Sequence, residues 1–386
     1  MLNLRLFLTL LILIAAICCA AQERSTQTSA ALDGKIDAVF QPLVTASSPG
    51  CAVLVIKDGK QIFKKGYGLA DLGGAVDGDN TQAHAKAAIS DRTNFRLASF
   101  TKQFTAAAIM LLAKDGKLRY DDPLSRFFPE FPAYGRAITV RQLLTHTGGL
   151  PDYEDLWEAK FSNTPSEKIP QVSDDEVLKL LEQQQAPMFA AGSRWHYSNS
   201  GYVVLGLIIA KVSRMSYPDF LKQRIFDQLG MRNTVAFVKG KNEVAHRAYG
   251  YRKSATGWKF ADQSPTSATL GDGGIYSSLD DLSKWDAAIQ NHTLLSSDEM
   301  QPALTPVEVP GGARRDDGKP AEYGFGWFLD SYKGRKRMYH DGETSGFRTT
   351  IQRFTDERMT IIVLANRTDL NPDALALKVA DLFAAK

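Results

Sequence analysis

The chain has 386 residues, and its 46 Lys and Arg against 43 Asp and Glu leave a net charge of only +3. That near-balance excludes the strongly basic and strongly acidic classes, and 44% hydrophobic residues supply enough apolar material for one large core or two smaller ones. The one dense basic stretch, Lys333-Gly-Arg-Lys-Arg337, reads as a solvated hairpin turn, so no nucleic-acid partner is expected.

At the start, Arg5 precedes an apolar run from Leu6 to Ile17 and then Cys-Cys-Ala-Ala-Gln22, the charged, apolar and small-residue order of an export signal. Residues 1–21 are therefore expected to be a signal peptide cut at Ala21–Gln22, giving a periplasmic or secreted protein. An uncleaved anchor and acylation at Cys18 or Cys19 are the alternatives. No later segment reaches the length of a bilayer span, so none is expected after removal of the signal. Cys51 is then the one remaining cysteine, placed in an apolar strand as a buried structural thiol.

Strand patterns at Cys51–Ile56 and Gln61–Tyr67 flank Asp58-Gly59, a strong hairpin signal. Residues 71–92 read as a connecting loop. A helix over Phe100–Lys114 is rich in Ala, Leu and Met and ends near Gly116. A Pro-rich loop follows through 123–132, then a short helix at Thr139–Thr145. Ser173-Asp-Asp-Glu176 is a capping box opening an amphipathic helix to about Gln185. Ser200–Ser213 is nearly all apolar, as in a buried helix, and Asp219–Leu229 and Leu279–Gln290 continue the helical series, the last capped by Ser278. Strands return at Gly324–Asp330, Lys336–His340, Phe347–Phe354 and Met359–Ala365, before a final helix at Pro372–Ala384. Strands at both ends with helices between predict an α+β fold: an antiparallel sheet built from both chain ends, flanked by helices, with a helical subdomain inserted. The boundaries read as one domain over 22–386, with an α/β part at about 35–125 and 270–386 and a helical part at about 126–269.

Three clusters carry chemistry. Ser99 and Lys102 stand at i and i+3 where the first long helix begins, so the amine can reach the hydroxyl. A serine needs such a neighbouring base to act as a nucleophile, and the helix start favours developing negative charge. Tyr197-Ser198-Asn199 opens the apolar helix: a phenol beside an ammonium can shuttle a proton, and Asn199 can hold both Lys102 and a substrate carbonyl. In His340-Asp341-Gly342, Gly342 would let a substrate backbone approach, and the Glu343 N–H would join that of Ser99 as an oxyanion hole. His340 would hydrogen-bond the substrate or Tyr197. No His-Glu-x-x-His or paired-Cys spacing is present and the six histidines are dispersed, so no metal and no other cofactor is expected.

Together these clusters resemble the serine β-lactamase/penicillin-binding superfamily, in its class C-like branch of β-lactamases, D-alanyl-D-alanine carboxypeptidases and esterases. The likeness runs from about Cys51 to Asn366 and includes Leu143-Leu-Thr-His-Thr-Gly-Gly-Leu150, Tyr197-Ser-Asn-Ser-Gly-Tyr202, Gly273-Gly-Ile-Tyr-Ser-Ser278 and Tyr323-Gly-Phe-Gly-Trp327. The resemblance implies Ser99 as the acylated nucleophile, Lys102 as its activating partner and Tyr197 as general acid/base. Asn199, His340, Gly342 and Glu343 would contact a small-molecule or peptide substrate. One departure matters: where the β-lactamases of the branch carry Lys-Thr-Gly, this chain has His-Asp-Gly, replacing a cation by an imidazole mostly neutral at pH 7. Ester or D-amino-acid amide hydrolysis is therefore expected ahead of weak β-lactamase activity, and a non-catalytic peptidoglycan-peptide binder is the rival from another class.

Overall fold

Strand β1 (Cys51–Lys57) and strand β2 (Lys60–Tyr67) form the hairpin that Asp58-Gly59 predicts, with φ of 51° and 75° at the two turn residues. A two-residue type I′ turn requires positive φ at both positions. The structure, a computed structural model, describes residues 30–73, 85–165, 168–315 and 317–384, so the expected signal at 1–21 lies outside the described residues. In chain order the main helices are α1 (30–40), α2 (Lys102–Lys114), α3 (Tyr153–Lys160), α4 (Asp174–Glu182), α5 (Asn199–Ser213) and α6 (Leu279–Gln290). Strands β3 (Phe328–Tyr332), β4 (Arg335–Thr344), β5 (Phe347–Phe354) and β6 (Met359–Ala365) follow, then α7 (Pro372–Asp381).

The sheet runs β3-β4-β5-β6-β1-β2, antiparallel throughout. The two chain ends meet at its centre, where Cys51 lies opposite Ala365 and Lys57 opposite Met359. Side chains alternate faces along a strand. Cys51, Val53 and Val55 with Ile361 and Val363 therefore pack under the terminal helices α1 and α7, against Ile36, Phe40, Leu375 and Val379. Ala52, Leu54 and Ile56 with Ile362 and Leu364 turn to the larger core, which includes α2 and α5. A strand covered on both faces needs apolar residues at every position, which is why these segments read as unbroken apolar runs. α2 is buried at every residue from Lys102 to Leu112. It places the amine of Lys102 in the interior at the same time as it fills the core.

The expected capping devices form. Ser173 and Glu176 make their capping box, Thr139 caps Val140–Leu144 with Gln142, and Ser278 accepts from Asp281 N at the start of α6. The Lys333–Arg337 turn is neutralised: Lys333 pairs with Asp381 at 2.9 Å, Arg337 with Asp330 at 2.7 Å, and Arg335 with Glu357.

Some elements differ from expectation. Gly324–Trp327 is a turn instead of a strand, because Gly326 adopts φ 77° and Tyr323 bridges directly to Phe328. The stretch read as loop over 71–92 contains Ala87–Ala88, paired with Leu69–Asp71, and the loop at 123–132 contains the single helical turn Leu124–Phe127. α3, capped by Asp152, was not expected, nor was the hairpin of Tyr251–Ser254 with Gly257–Phe260. His340-Asp341-Gly342 lies within β4, not at a strand end.

Candidate active site

The turn before α2 presents Ser99. Residues Ala98–Thr101 form a 3₁₀ turn that runs directly into α2, and Ala98 sits at φ 51°, in the left-handed region where a side chain is strained. One helical turn on, Lys102 Nζ donates to Ser99 Oγ at 3.0 Å, Asn199 Oδ1 at 2.8 Å and Asp272 O at 3.0 Å. Three acceptors match the three N–H bonds of an ammonium. Asn199 is the first residue of α5, and Asp272 lies on a tight turn pressed against that helix. A Cβ at Gly271 would fall 2.2 Å from Tyr202 O, so only glycine lets this loop come so close.

Lys102 is fully buried, and burial pushes its pKa down to about 8, opposed by the charges of Asp272, Glu154, Asp152 and Asp341. Its ammonium lies 4.9 Å from the centre of the Tyr197 ring. The Tyr197 hydroxyl is shielded from solvent and has no hydrogen-bond partner of ordinary geometry among the described residues, though Ser99 is close enough to favour its anion. Burial outweighs that influence and holds the phenol pKa well above the usual value, so Tyr197 keeps its proton near neutrality. His146 supports the segment from behind. Its ring packs 4.5 Å from that of Tyr197, and its Nδ1 accepts from Ser198 N at 3.1 Å.

Two sequence expectations are corrected here. His340 is 1% exposed and turned inward: Tyr323 Oη lies 3.1 Å from its Nε2, and its Nδ1–H donates to Asp341 O at 2.6 Å. Both ring nitrogens are thus occupied within the protein, with none left for substrate or for Tyr197. Burial lowers its pKa to about 4, leaving a neutral imidazole. Gly342 makes room for the chain itself and not for a ligand, since a Cβ there would lie 2.0 Å from Leu97 O, in the segment leading to Ser99. Glu343 does line the cleft that Ser99 opens onto, with its carboxylate 2.6 Å from Arg348. Arg348 also donates through Nη1 to Thr344 O and Phe347 O, so its two Nη atoms are held by neighbouring protein groups.

The cleft has walls that the sequence did not reveal. Glu154, in the first turn of α3, accepts from Asn199 Nδ2 at 3.3 Å, and burial with the charges of Asp152 and Asp272 raises its pKa to about 7. Asp272 binds Tyr153 Oη at 2.9 Å through Oδ2, while its buried Oδ1 has no partner among the described residues. Arg96 lines the same cleft. The available signal for Glu154 was the Asp152 cap with two acids after it, which reads as an ordinary helix start until α3 is seen to abut α5.

A serine-lysine-asparagine site at the junction of an antiparallel sheet and a helical insertion defines the penicillin-recognising class of serine hydrolases. The chain belongs to the Beta-lactamase family, whose model matches residues 36–386. It is 32% identical over 359 residues to "Penicillin-binding protein 4*" of Bacillus subtilis, covering 90% of this chain and 74% of that protein. It is 27% identical over 337 residues to a D-aminopeptidase of Cereibacter sphaeroides, covering 87% of this chain but only 60% of that enzyme. Among solved structures, an octameric penicillin-binding protein homologue from Pyrococcus abyssi superposes with a TM-score of 0.72 at 27% identity, over 87% of this chain and 73% of the other.

Proposed function

We propose that this chain is an exported hydrolase that forms an acyl-enzyme on Ser99 and cleaves ester or amide bonds, with D-amino-acid derivatives and short peptides as its substrate class. The observation that carries this is a buried amine 3.0 Å from a serine oxygen at a helix start. Lys102 in its neutral form takes the Ser99 proton as Oγ attacks the carbonyl carbon. The backbone N–H groups of Ser99 and Glu343 receive the oxyanion. Tyr197, which keeps its proton, delivers it to the leaving oxygen or nitrogen as the bond to carbon breaks. Water then attacks the acyl carbon, giving its proton back through the same pair, and Ser99 leaves as the free hydroxyl. The acidic wall of Glu154 and Asp272 favours a substrate with an ammonium beside the scissile carbonyl. That agrees with the name of the D-aminopeptidase relative, from which the D-configuration is taken.

β-Lactam hydrolysis is the secondary reading. The third motif offers a buried neutral imidazole where a cation would hold the β-lactam carboxylate, and Arg348 beside it is engaged. No helix among the described residues is long and apolar enough to cross a membrane. Export rests on the pattern of residues 1–21. The test is a panel of nitrophenyl esters, D-amino-acid amides, D-Ala-D-Ala peptides and nitrocefin, run on wild type and Ser99→Ala. Esters and D-amino-acid amides turned over faster than nitrocefin, with all activity lost in Ser99→Ala, is the expected pattern. Nitrocefin as the best substrate, or Ser99→Ala retaining full rates, would overturn the proposal.

A further inference from the structure

Arg96 closes the two-residue strand Phe95–Arg96, three positions before Ser99, and is 3% exposed while lining the Ser99 cleft. Its Nη2 donates to Ser267 O at 3.0 Å, Nη1 reaches Gln263 Oε1 only at 3.4 Å, and buried Nε has no acceptor among the described residues. Among those residues no carboxylate pairs with it. The neighbouring acid, Asp262, is already committed: its Oδ2 receives Arg247 and Gln263 Nε2, and its Oδ1 receives Gly250 N. Arg96, Gln263, Asp262 and Arg247 therefore form one bonded cluster with two guanidiniums and a single carboxylate, leaving one positive charge unanswered beside the cleft.

A buried charge without a counter-charge is among the costliest arrangements in a protein, and partnered charges are the rule. Nη1 and Nη2 each use one N–H on a protein acceptor and keep one more, and a guanidinium at a cleft wall with N–H groups to spare is suited to hold a carboxylate. We propose that Arg96 is the specificity residue for a substrate whose acyl group carries its own carboxylate, such as an acidic amino-acid residue. Ser264 and Thr266 place two further hydroxyls on the same wall. The cleft is then bipolar, with Glu154 and Asp272 on its acidic side and Arg96 on its basic side. This deepens the hydrolase reading for Ser99 and rests on it.

The test compares two activated esters that differ only in charge: the 4-nitrophenyl monoester of glutaric acid and the corresponding 4-nitrophenyl ester of glutaramic acid, its carboxamide isostere. Wild type is expected to prefer the carboxylate ester by at least about tenfold in kcat/KM, mostly through KM, the scale of one charge-assisted hydrogen bond. Arg96→Gln, with its fold checked by circular dichroism, is expected to erase that preference, and Arg96→Lys to keep part of it. Should Arg96→Gln fail to fold, the wild-type preference and Arg96→Lys decide, with KM for the carboxylate ester rising more than KM for the amide ester. Equal kcat/KM for the two esters in wild type, or a preference surviving in folded Arg96→Gln, overturns the assignment while leaving the Ser99 chemistry standing. Cleavage of neither ester overturns both.

Discussion

The pH dependence of acylation follows from the environment of Lys102 and can be moved by one substitution. With its pKa near 8, about a tenth of the protein holds the amine neutral at pH 7, half at pH 8 and about nine-tenths at pH 9. If the neutral amine takes the Ser99 proton, kcat/KM for nitrophenyl acetate rises about tenfold from pH 7 to pH 9 and then flattens. Asp272 is the strongest of the charges that hold this pKa up against burial. Asp272→Asn removes that charge and leaves the main-chain oxygen that accepts from Lys102 in place. The ammonium form is then less favoured, so the midpoint of the rising limb moves to lower pH, whatever happens to the plateau height. Initial rates from pH 6 to 10 at constant ionic strength, corrected for spontaneous hydrolysis, measure it. A midpoint that stays put or moves to higher pH in Asp272→Asn would refute the reasoning. So would a rising limb that persists in Lys102→Arg, since a guanidinium cannot give up its proton in this range.

Tyr197→Phe is expected to lower kcat for D-amino-acid anilides by about 10²–10⁴-fold, the usual worth of a positioned general acid. The same change should affect nitrophenyl esters much less, because nitrophenolate leaves without a proton. Glu154→Gln should reduce kcat/KM for D-alanine amide more than for nitrophenyl acetate, chiefly through KM, if the acidic wall holds the substrate ammonium. His340 contributes to acid lability, as buried His146 does: its folded pKa of about 4 lies below the ordinary 6.5, so as pH falls the unfolded chain takes up the proton first. Stability is therefore lost between about pH 6.5 and pH 4, by up to about 3 kcal/mol, and urea titrations of His340→Gln should show a smaller loss over that range. Cys51 is fully buried with its pKa pushed up to about 12, so Ellman's reagent should react with it only after unfolding.

The frame of the fold was legible because its signals are local. Asp58-Gly59 dictates a hairpin, Ser173-Asp-Asp-Glu176 a helix start, and the unbroken apolar run at 361–365 a strand buried on both faces. The spacing of Ser99 and Lys102 likewise fixes their contact before any tertiary structure is known. What misled is not local. Tyr323-Gly-Phe-Gly-Trp327 reads as a strand by composition, yet Gly326 turns the chain and the three aromatics are buried in two different cores. The direction in which His340 points depends on sheet register and on Tyr323, which fills the space behind it. Arg96 and Glu154 look like ordinary charged residues in the sequence. The burial of Arg96 and the placing of Glu154 at the Ser99 cleft arise only when the 262–269 segment and α3 come together beside the helix start.

The most direct measurement is the mass of the intact protein after brief exposure to a slowly deacylating nitrophenyl ester, followed by peptide mapping. A single acyl group on the peptide containing Ser99, absent from folded Ser99→Ala, is the predicted result. A folded wild-type protein that takes up no label, or takes it up on another residue, would contradict the assignment of Ser99 as nucleophile.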